Sequence, residues 1–407
     1  MRVTYIFPFD PLPADSGAAK RCLQLAGALR RIGADVTLLF ATHKRREDVR
    51  ATIHELEQHW VTTAAAYPIS TMDYRLSHAA AKAREVFGLA PAIVYHPFLS
   101  PSLRAWFRTR VREDGADVVL TTYPWTDPLI PGRTIGPKMI DVVDLMTSYL
   151  KQLKLVTAAM VTSGDQITGF DDRALDVGFV KSVAEPDAHE FAIYDRYQGT
   201  ICISRSEAAQ VTAGSPGTRV TYLPLVPPAR PIANTYEASP LYLMRNNPFN
   251  FHGFFVFVDR VLPLVLARVP EFVLHVVGNG CDRVASRPGV KCLGYMDDIE
   301  SVYRAARFFV NPVLAGTGQS IKTAESMAFG LPVIAFEALA QDSPLVHGES
   351  GLVARTIDEF ADHTVRLWMS TDDCRRMGTR ARQSIDEWCD QSTYDGLLAG
   401  ALKRALG

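Results

Sequence analysis

Between residues 3 and 40 the chain passes from a short apolar run through an amphipathic segment to a second apolar run. Residues 3–7, VTYIF, read as a buried strand. After a loop at residues 8–17 comes AAKRCLQLAGALRRIG, where Cys22, Leu25, Ala26, Leu29 and Ile32 recur at helical spacing. Lys20, Arg21, Gln24, Arg30 and Arg31 fall on the opposite, polar face, and Gly33 is the stop. Residues 36–40, VTLLF, read as the next buried strand. A strand, a helix and a strand within about 40 residues form the crossover unit of a parallel sheet with both faces covered. The chain is therefore expected to be α/β.

The same alternation recurs. Strand signals return at residues 117–121, 139–143 and 199–203, and after a break at 272–277, 290–293, 308–310, 333–334 and 352–353. The break holds Pro224, Pro227, Pro228, Pro231 and Pro240, a density that neither a helix interior nor a central strand tolerates. With 407 residues and about 150 per domain as a guide, two domains are expected. Their bounds are read as 1–225, a linker at 226–240, and 241–388, with a terminal helix at 389–407 free to pack back on the first domain. Thr356 and Glu359 form a capping-box pair. Residues 42–109 read as mostly helical and irregular. Their basic cluster Lys44, Arg45 and Arg46 runs straight into Glu47 and Asp48, which favours a solvated helix face over a lipid contact.

Forty-three Lys and Arg stand against 44 Asp and Glu, so no net field gathers nucleic acid, and a nucleic-acid partner is not expected. No uninterrupted apolar run reaches the roughly 18 residues of a membrane span. Six cysteines lie scattered without C-x-x-C spacing and read as free thiols, which together with the absence of a signal-like N-terminus implies a cytoplasmic protein. His252 and His275 sit on apolar faces with no ligand-spaced partner, and no metal is expected.

The most informative stretch is residues 311–336, NPVLAGTGQSIKTAESMAFGLPVIAF. A strand ends, Gly316, Thr317 and Gly318 follow, a helix runs over residues 320–329, and Gly330 closes it. Glycines before a helix start let backbone N–H groups approach a phosphate, and the helix dipole favours that anion. Lys322 and Glu325, three apart, project to one side. A cation beside phosphate with a carboxylate beyond it suits a nucleoside diphosphate, the acid taking ribose hydroxyls. A tight turn with an exposed helix ion pair is the competing explanation.

The stretch closely resembles the nucleotide-sugar-binding motif of GT-B glycosyltransferases, in particular the family 4-like group called glycosyl transferases group 1. The counterparts are Gly316-Thr317-Gly318, Lys322 and the run from Glu325 to Ile334. Asn250 with the following FHGFFVFVDRVLPLVLARVPEFVLHVVGNG resembles the opening of the family's C-terminal domain, which carries Gly278 into the donor-binding set. Residues 11–21, PLPADSGAAKR, resemble its N-terminal glycine loop, with Ser16 and Gly17 as the residues of interest.

The resemblance implies two Rossmann-like, doubly wound domains facing a central cleft, and transfer of a sugar from a nucleotide diphosphate sugar, a UDP-sugar above all, to a hydroxyl acceptor. It also implies retention of configuration and no cofactor or bound metal. Lys322, with Arg245 as a second cation, would stabilise the leaving diphosphate. The acceptor could be a glycan, a lipid-linked intermediate, a natural product or a protein, and peripheral membrane contact stays open. Asp144, after the strand at 139–143, is the catalytic candidate of the first domain. Asp141 competes for that role, and helix capping is the alternative for either. His189 and Glu190 read as structural. The chain departs from many relatives in carrying Thr317, eight before Glu325, where they have a first glutamate. A non-hydrolysing sugar-nucleotide epimerase and a non-catalytic partner subunit are the competing functions.

Overall fold

Fifteen short strands alternate with helices among the described residues of the computed structural model, which are 1–87, 97–132, 136–228, 230 and 232–407. In chain order the strands are β1 (Arg2–Phe7), β2 (Asp35–Thr42), β3 (Thr63–Pro68), β4 (Val118–Thr122), β5 (Lys138–Val142), β6 (Met160–Ser163), β7 (Gln166–Phe170), β8 (Gly199–Cys202), β9 (Arg219–Tyr222), β10 (Leu241–Leu243), β11 (Leu274–Val277), β12 (Val290–Gly294), β13 (Phe309–Asn311), β14 (Val333–Phe336) and β15 (Gly351–Ala354). Two compact units result. Unit 1 comprises Met1–Thr147, Pro186–Leu225 and Gln391–Gly407, and unit 2 comprises Ser148–Glu185 and Val226–Asp390.

Unit 1 carries a parallel sheet in the order β3-β2-β1-β4-β5-β8-β9. β1 lies inside the sheet, so Val3, Tyr5, Ile6 and Phe7 are fully buried and its apolar run is continuous. The edge strands β3 and β9 bury only one residue each, Ala64 and Thr221, which is why no apolar run marks them in the sequence. Ser16 caps helix Gly17–Arg31 by accepting from the Ala19 N–H at 3.1 Å. Arg21, expected on the polar face, is instead wholly buried. The C-terminal helix Gln391–Leu406 is part of this unit and ends a bidentate pair there, with Arg31 Nη2 at 2.7 Å and Nε at 2.8 Å from the Asp395 carboxylate.

Unit 2 carries a parallel sheet in the order β12-β11-β10-β13-β14-β15. It also contains the antiparallel hairpin β6–β7, so residues 148–185, expected in the first domain, cluster with the second. The proline-rich segment is no free linker either. The Arg230 N–H donates to Ala328 O and the Ala238 N–H to Ala305 O, both at 2.9 Å, which straps the segment onto unit 2. Helix Pro248–Leu266, at mean hydropathy 1.4, is long and apolar enough to cross a membrane by length and composition, yet 67% of its most apolar window is buried. It widens to a π turn over Phe257–Val261, just ahead of Pro263, whose ring nitrogen has no hydrogen for the preceding turn. The Thr356 hydroxyl accepts from the Glu359 N–H at 3.1 Å, while the Glu359 carboxylate accepts from Arg355 N–H at 2.7 Å, one residue earlier than a strict capping box.

Candidate functional site

In unit 2 the C-terminal ends of β10, β11 and β13 deliver three loops. After β13, the Asn311 side chain donates to Ser320 Oγ at 2.9 Å and Thr323 Oγ1 at 3.0 Å, and so fixes the start of helix Ile321–Ala328. Gly316 and Gly318 have φ of 146° and 67°, values that favour glycine. The Gly316 N–H, expected to face an anion, donates instead to Gln152 Oε1 at 2.8 Å. Gln152 is buried and its amide donates to Ser148 Oγ at 3.1 Å. That tie was invisible in the sequence because the Gln152 segment was assigned to the other domain.

Lys322 is not part of an exposed ion pair. It is half-buried, and its ammonium donates to Leu243 O at 2.6 Å and to the Asn250 side-chain oxygen. The Arg245 N–H donates to that same Asn250 oxygen at 3.1 Å, so one carboxamide links the cation to the loop after β10. Burial, reinforced by the Arg245 charge and opposed by Glu325, pulls the Lys322 amine down to about 7. Glu325 is half-buried one turn further along the helix, and Thr317 and Gly318 are half-buried beside it in sequence.

Gly278, at φ 132°, answers a packing demand. A Cβ there would lie 2.2 Å from Met244 O. The absence of that carbon lets the loops after β10 and β11 zip together, with Gly280 N–H on Met244 O at 3.0 Å and Asn246 N–H on Asn279 Oδ1 at 2.9 Å.

In unit 1, Asp141 and Asp144 have separate fates. Asp141 is fully buried and paired with Arg21. Asp144 is half-buried just beyond the C-terminal end of β5. The amides that follow it are held by two buried glutamates. Glu207 accepts from Leu145 N–H at 3.0 Å, and Glu190 accepts from Met146 and Thr147 N–H, both at 2.7 Å, and from Tyr194 OH at 2.6 Å. Glu190 thus caps helix Met146–Ala158, a task the sequence offered as the alternative role of Asp144 or Asp141. His189 lies at the surface, 3.9 Å from Asp187. His252 is buried with Nε2 2.6 Å from Ala174 O, and burial lowers its pKa, as it does for His275, where the Lys291 charge adds to the effect. Lys44 is no solvated face: it donates to Leu12 O at 2.7 Å and sits 3.2 Å from Asp10, bracing the N-terminal loop ahead of Ser16 and Gly17. No group of three or more His, Cys, Asp or Glu side chains among the described residues is placed to hold a metal ion.

Residues 240–370 match the family model described as Glycosyl transferases group 1. That span holds Arg245, Gly278, the 316–318 loop, Lys322 and Glu325. An uncharacterized 44.6 kDa protein in the cps region of Klebsiella pneumoniae is 22% identical over 153 residues, covering 34% of this chain and 39% of that protein. Sucrose-phosphate synthase from Thermosynechococcus elongatus superposes with a TM-score of 0.63 at 15% identity, over 100% of this chain and 99% of that one. TarM superposes with a TM-score of 0.67 at 9% identity, over 99% of each chain. Anabaena HepE in complex with UDP and glucose gives 0.56 at 14% identity, again over 99% of each. The fold is GT-B, two Rossmann-like units, and within it residues 240–370 are the part that matches a glycosyltransferase family model. Through residues 240–370 its relation is to group 1 of the glycosyl transferases.

Proposed function

We propose that the chain transfers a sugar from a nucleotide diphosphate sugar, with UDP as the nucleotide, to a hydroxyl acceptor, with retention of configuration and without a bound metal. The observation that carries this reading is the Lys322 ammonium, held by Leu243 O and Asn250 on the first turn of a helix that follows a glycine loop. Phosphate oxygens arriving there meet a cation, the positive end of the helix and the Arg245 side chain. Departure of the diphosphate builds negative charge at the leaving oxygen, and these fixed groups stabilise it without reorganising. That supply of positive charge is the ground for metal independence. Gln152 holds the Gly316 amide, so backbone donation to the diphosphate falls to the residues after it. Glu325 would take ribose hydroxyls.

UDP in the HepE complex favours that nucleotide. Reduced cysteines, all six free, fit a cytoplasmic setting. On the first unit, Asp144 would approach the reacting sugar or the acceptor. Calorimetric titration of the full chain with UDP, GDP and ADP tests the proposal. UDP is expected to bind most tightly, and no binding by any of the three at millimolar concentration would overturn it.

A further inference from the structure

Two buried carboxamides hold the ends of the glycine loop in unit 2. Asn311 fixes Ser320 and Thr323, and Gln152, 3% exposed, fixes Gly316 from 164 residues away. The Gln152 amide is locked in one orientation. Its oxygen accepts the Gly316 N–H at 2.8 Å, and its Nε2 donates at 3.1 Å to Ser148 Oγ, four residues back on the same helix face. The Ser148 hydroxyl donates its own proton to Ala184 O and so offers Gln152 a lone pair. Turning the amide over would set Nε2 against the Gly316 N–H, donor against donor.

Burying a carboxamide is costly unless its bonds are made, and Met would fill a similar volume without them. What Gln152 adds is therefore direction. Gly316 has φ of 146°, and a Cβ there would meet no atom within 4 Å, so the glycine answers a backbone conformation rather than crowding. The Gln152 oxygen holds the N–H of that one residue in place.

We propose that Gln152 is a positioning residue for the donor: it orders the glycine loop before the nucleotide arrives, and acts on the diphosphate through residues 316–318 without touching it. The proposal rests on the reading of this loop as the diphosphate site. Glycine loses more backbone freedom on ordering than any other residue, so a loop with two glycines in three positions binds weakly when the ligand itself must order it. Held by Gln152 at one end and Asn311 at the other, the loop has given up that freedom already.

Calorimetric titration of the full chain with UDP, paired with spectra of protein labelled with 15N-glycine, tests the proposal. The Gly316 amide, identified by the resonance that Gly316→Ala deletes, should exchange slowly with solvent before any ligand is added. In Gln152→Met that resonance should shift and exchange faster, UDP affinity should fall about tenfold, and the Gly33 and Gly115 resonances of unit 1 should stay in place. Gln152→Glu keeps an oxygen for the Gly316 N–H and should keep its exchange slow, which decides the matter even if the Met variant does not fold. Gly316→Ala leaves the N–H but disfavours the conformation, so it should weaken UDP to a similar degree, and the double variant should lose little more than either alone. Fast exchange of Gly316 in the wild type, unchanged UDP affinity in folded Gln152→Met, or additive losses would overturn the proposal and leave the donor reading standing. Failure of the wild type to bind UDP would overturn that reading, and the proposal with it.

Discussion

Arg21 and Asp141, 120 residues apart, meet inside unit 1 with both side chains at 0% exposure and Nη2 2.8 Å from Oδ1. The guanidinium also donates to Pro224 O at 3.2 Å and Tyr394 OH at 3.1 Å, so one buried cation ties the first helix, β5, the end of β9's connection and the C-terminal helix together. Burial opposes its charge, but Asp141 outweighs that and the guanidinium stays protonated. Asp141 is thereby committed to structure and leaves Asp144 as the acid at the end of β5.

Removing one partner strands the other charge in the core. Arg21→Met and Asp141→Asn should each cost about 3–5 kcal/mol of unfolding free energy. The double variant should cost clearly less than the sum, because neither charge is then left alone. Urea denaturation checks this, and additive losses would show that the pair is not coupled.

Much of this was legible and some was not, for physical reasons. The interior strands were visible because burial on both faces forces continuous apolar runs, as in β1 and β4. Edge strands such as β9, RVTY, need no such run. Gly330 and Thr356 gave helix ends through local rules that hold whatever surrounds them. Arg21 failed because helical periodicity locates a face but cannot say whether a carboxylate waits there from a distant strand. Gln152 on Gly316 failed likewise: residues 164 apart met in a unit whose membership the proline count could not define. Lys322 and Glu325 were found through spacing, while what depresses the lysine, burial first and then the Arg245 charge from another loop, is set by tertiary structure.

Donor binding in the proposed site depends on two side chains of one helix. Lys322→Ala and Glu325→Ala should each weaken nucleoside diphosphate binding or turnover by about 1–3 kcal/mol, with little change in melting temperature. Calorimetry and steady-state kinetics measure it. Wild-type behaviour in both would remove the helix from the site.

The Lys322 amine also gives binding a pH signature. At about 7 in the unliganded protein it is partly neutral at physiological pH, and an arriving diphosphate favours the charged form. Between that value and the higher one in the complex, binding must take up a proton, so affinity falls as pH rises. The expected loss approaches about tenfold per pH unit above 7. UDP titrations in buffers of different ionisation enthalpy should show uptake of close to one proton at pH 8, and Lys322→Met should abolish it. Affinity that is flat from pH 7 to 9 would mean the amine is already charged.

Metal independence has its own check. With Lys322 and Arg245 supplying the positive charge, activity should persist in EDTA and show no more than a modest change on adding magnesium or manganese. Complete loss restored by either ion would place the charge task on a cation.

On the proposed function, the first unit's part in the reaction falls to Asp144. It follows β5 at the C-terminal end of a parallel sheet, where doubly wound domains present side chains to ligands. Helix capping does not account for it, because the Met146 and Thr147 amides go to Glu190 and the Leu145 amide to Glu207. If its carboxylate stabilises positive charge developing at the anomeric carbon or orients the acceptor hydroxyl, Asp144→Asn should lower kcat by a factor of about 100 or more. Nucleotide affinity should hold, since Lys322, Arg245 and Glu325 belong to unit 2. Both glutamates still secure the loop in that variant. Glu190→Gln separates position from chemistry: it weakens the bonds that fix the loop, so it should lower the melting temperature along with kcat, whereas Asp144→Asn leaves those bonds in place. Unchanged turnover in Asp144→Asn would take Asp144 out of the reaction.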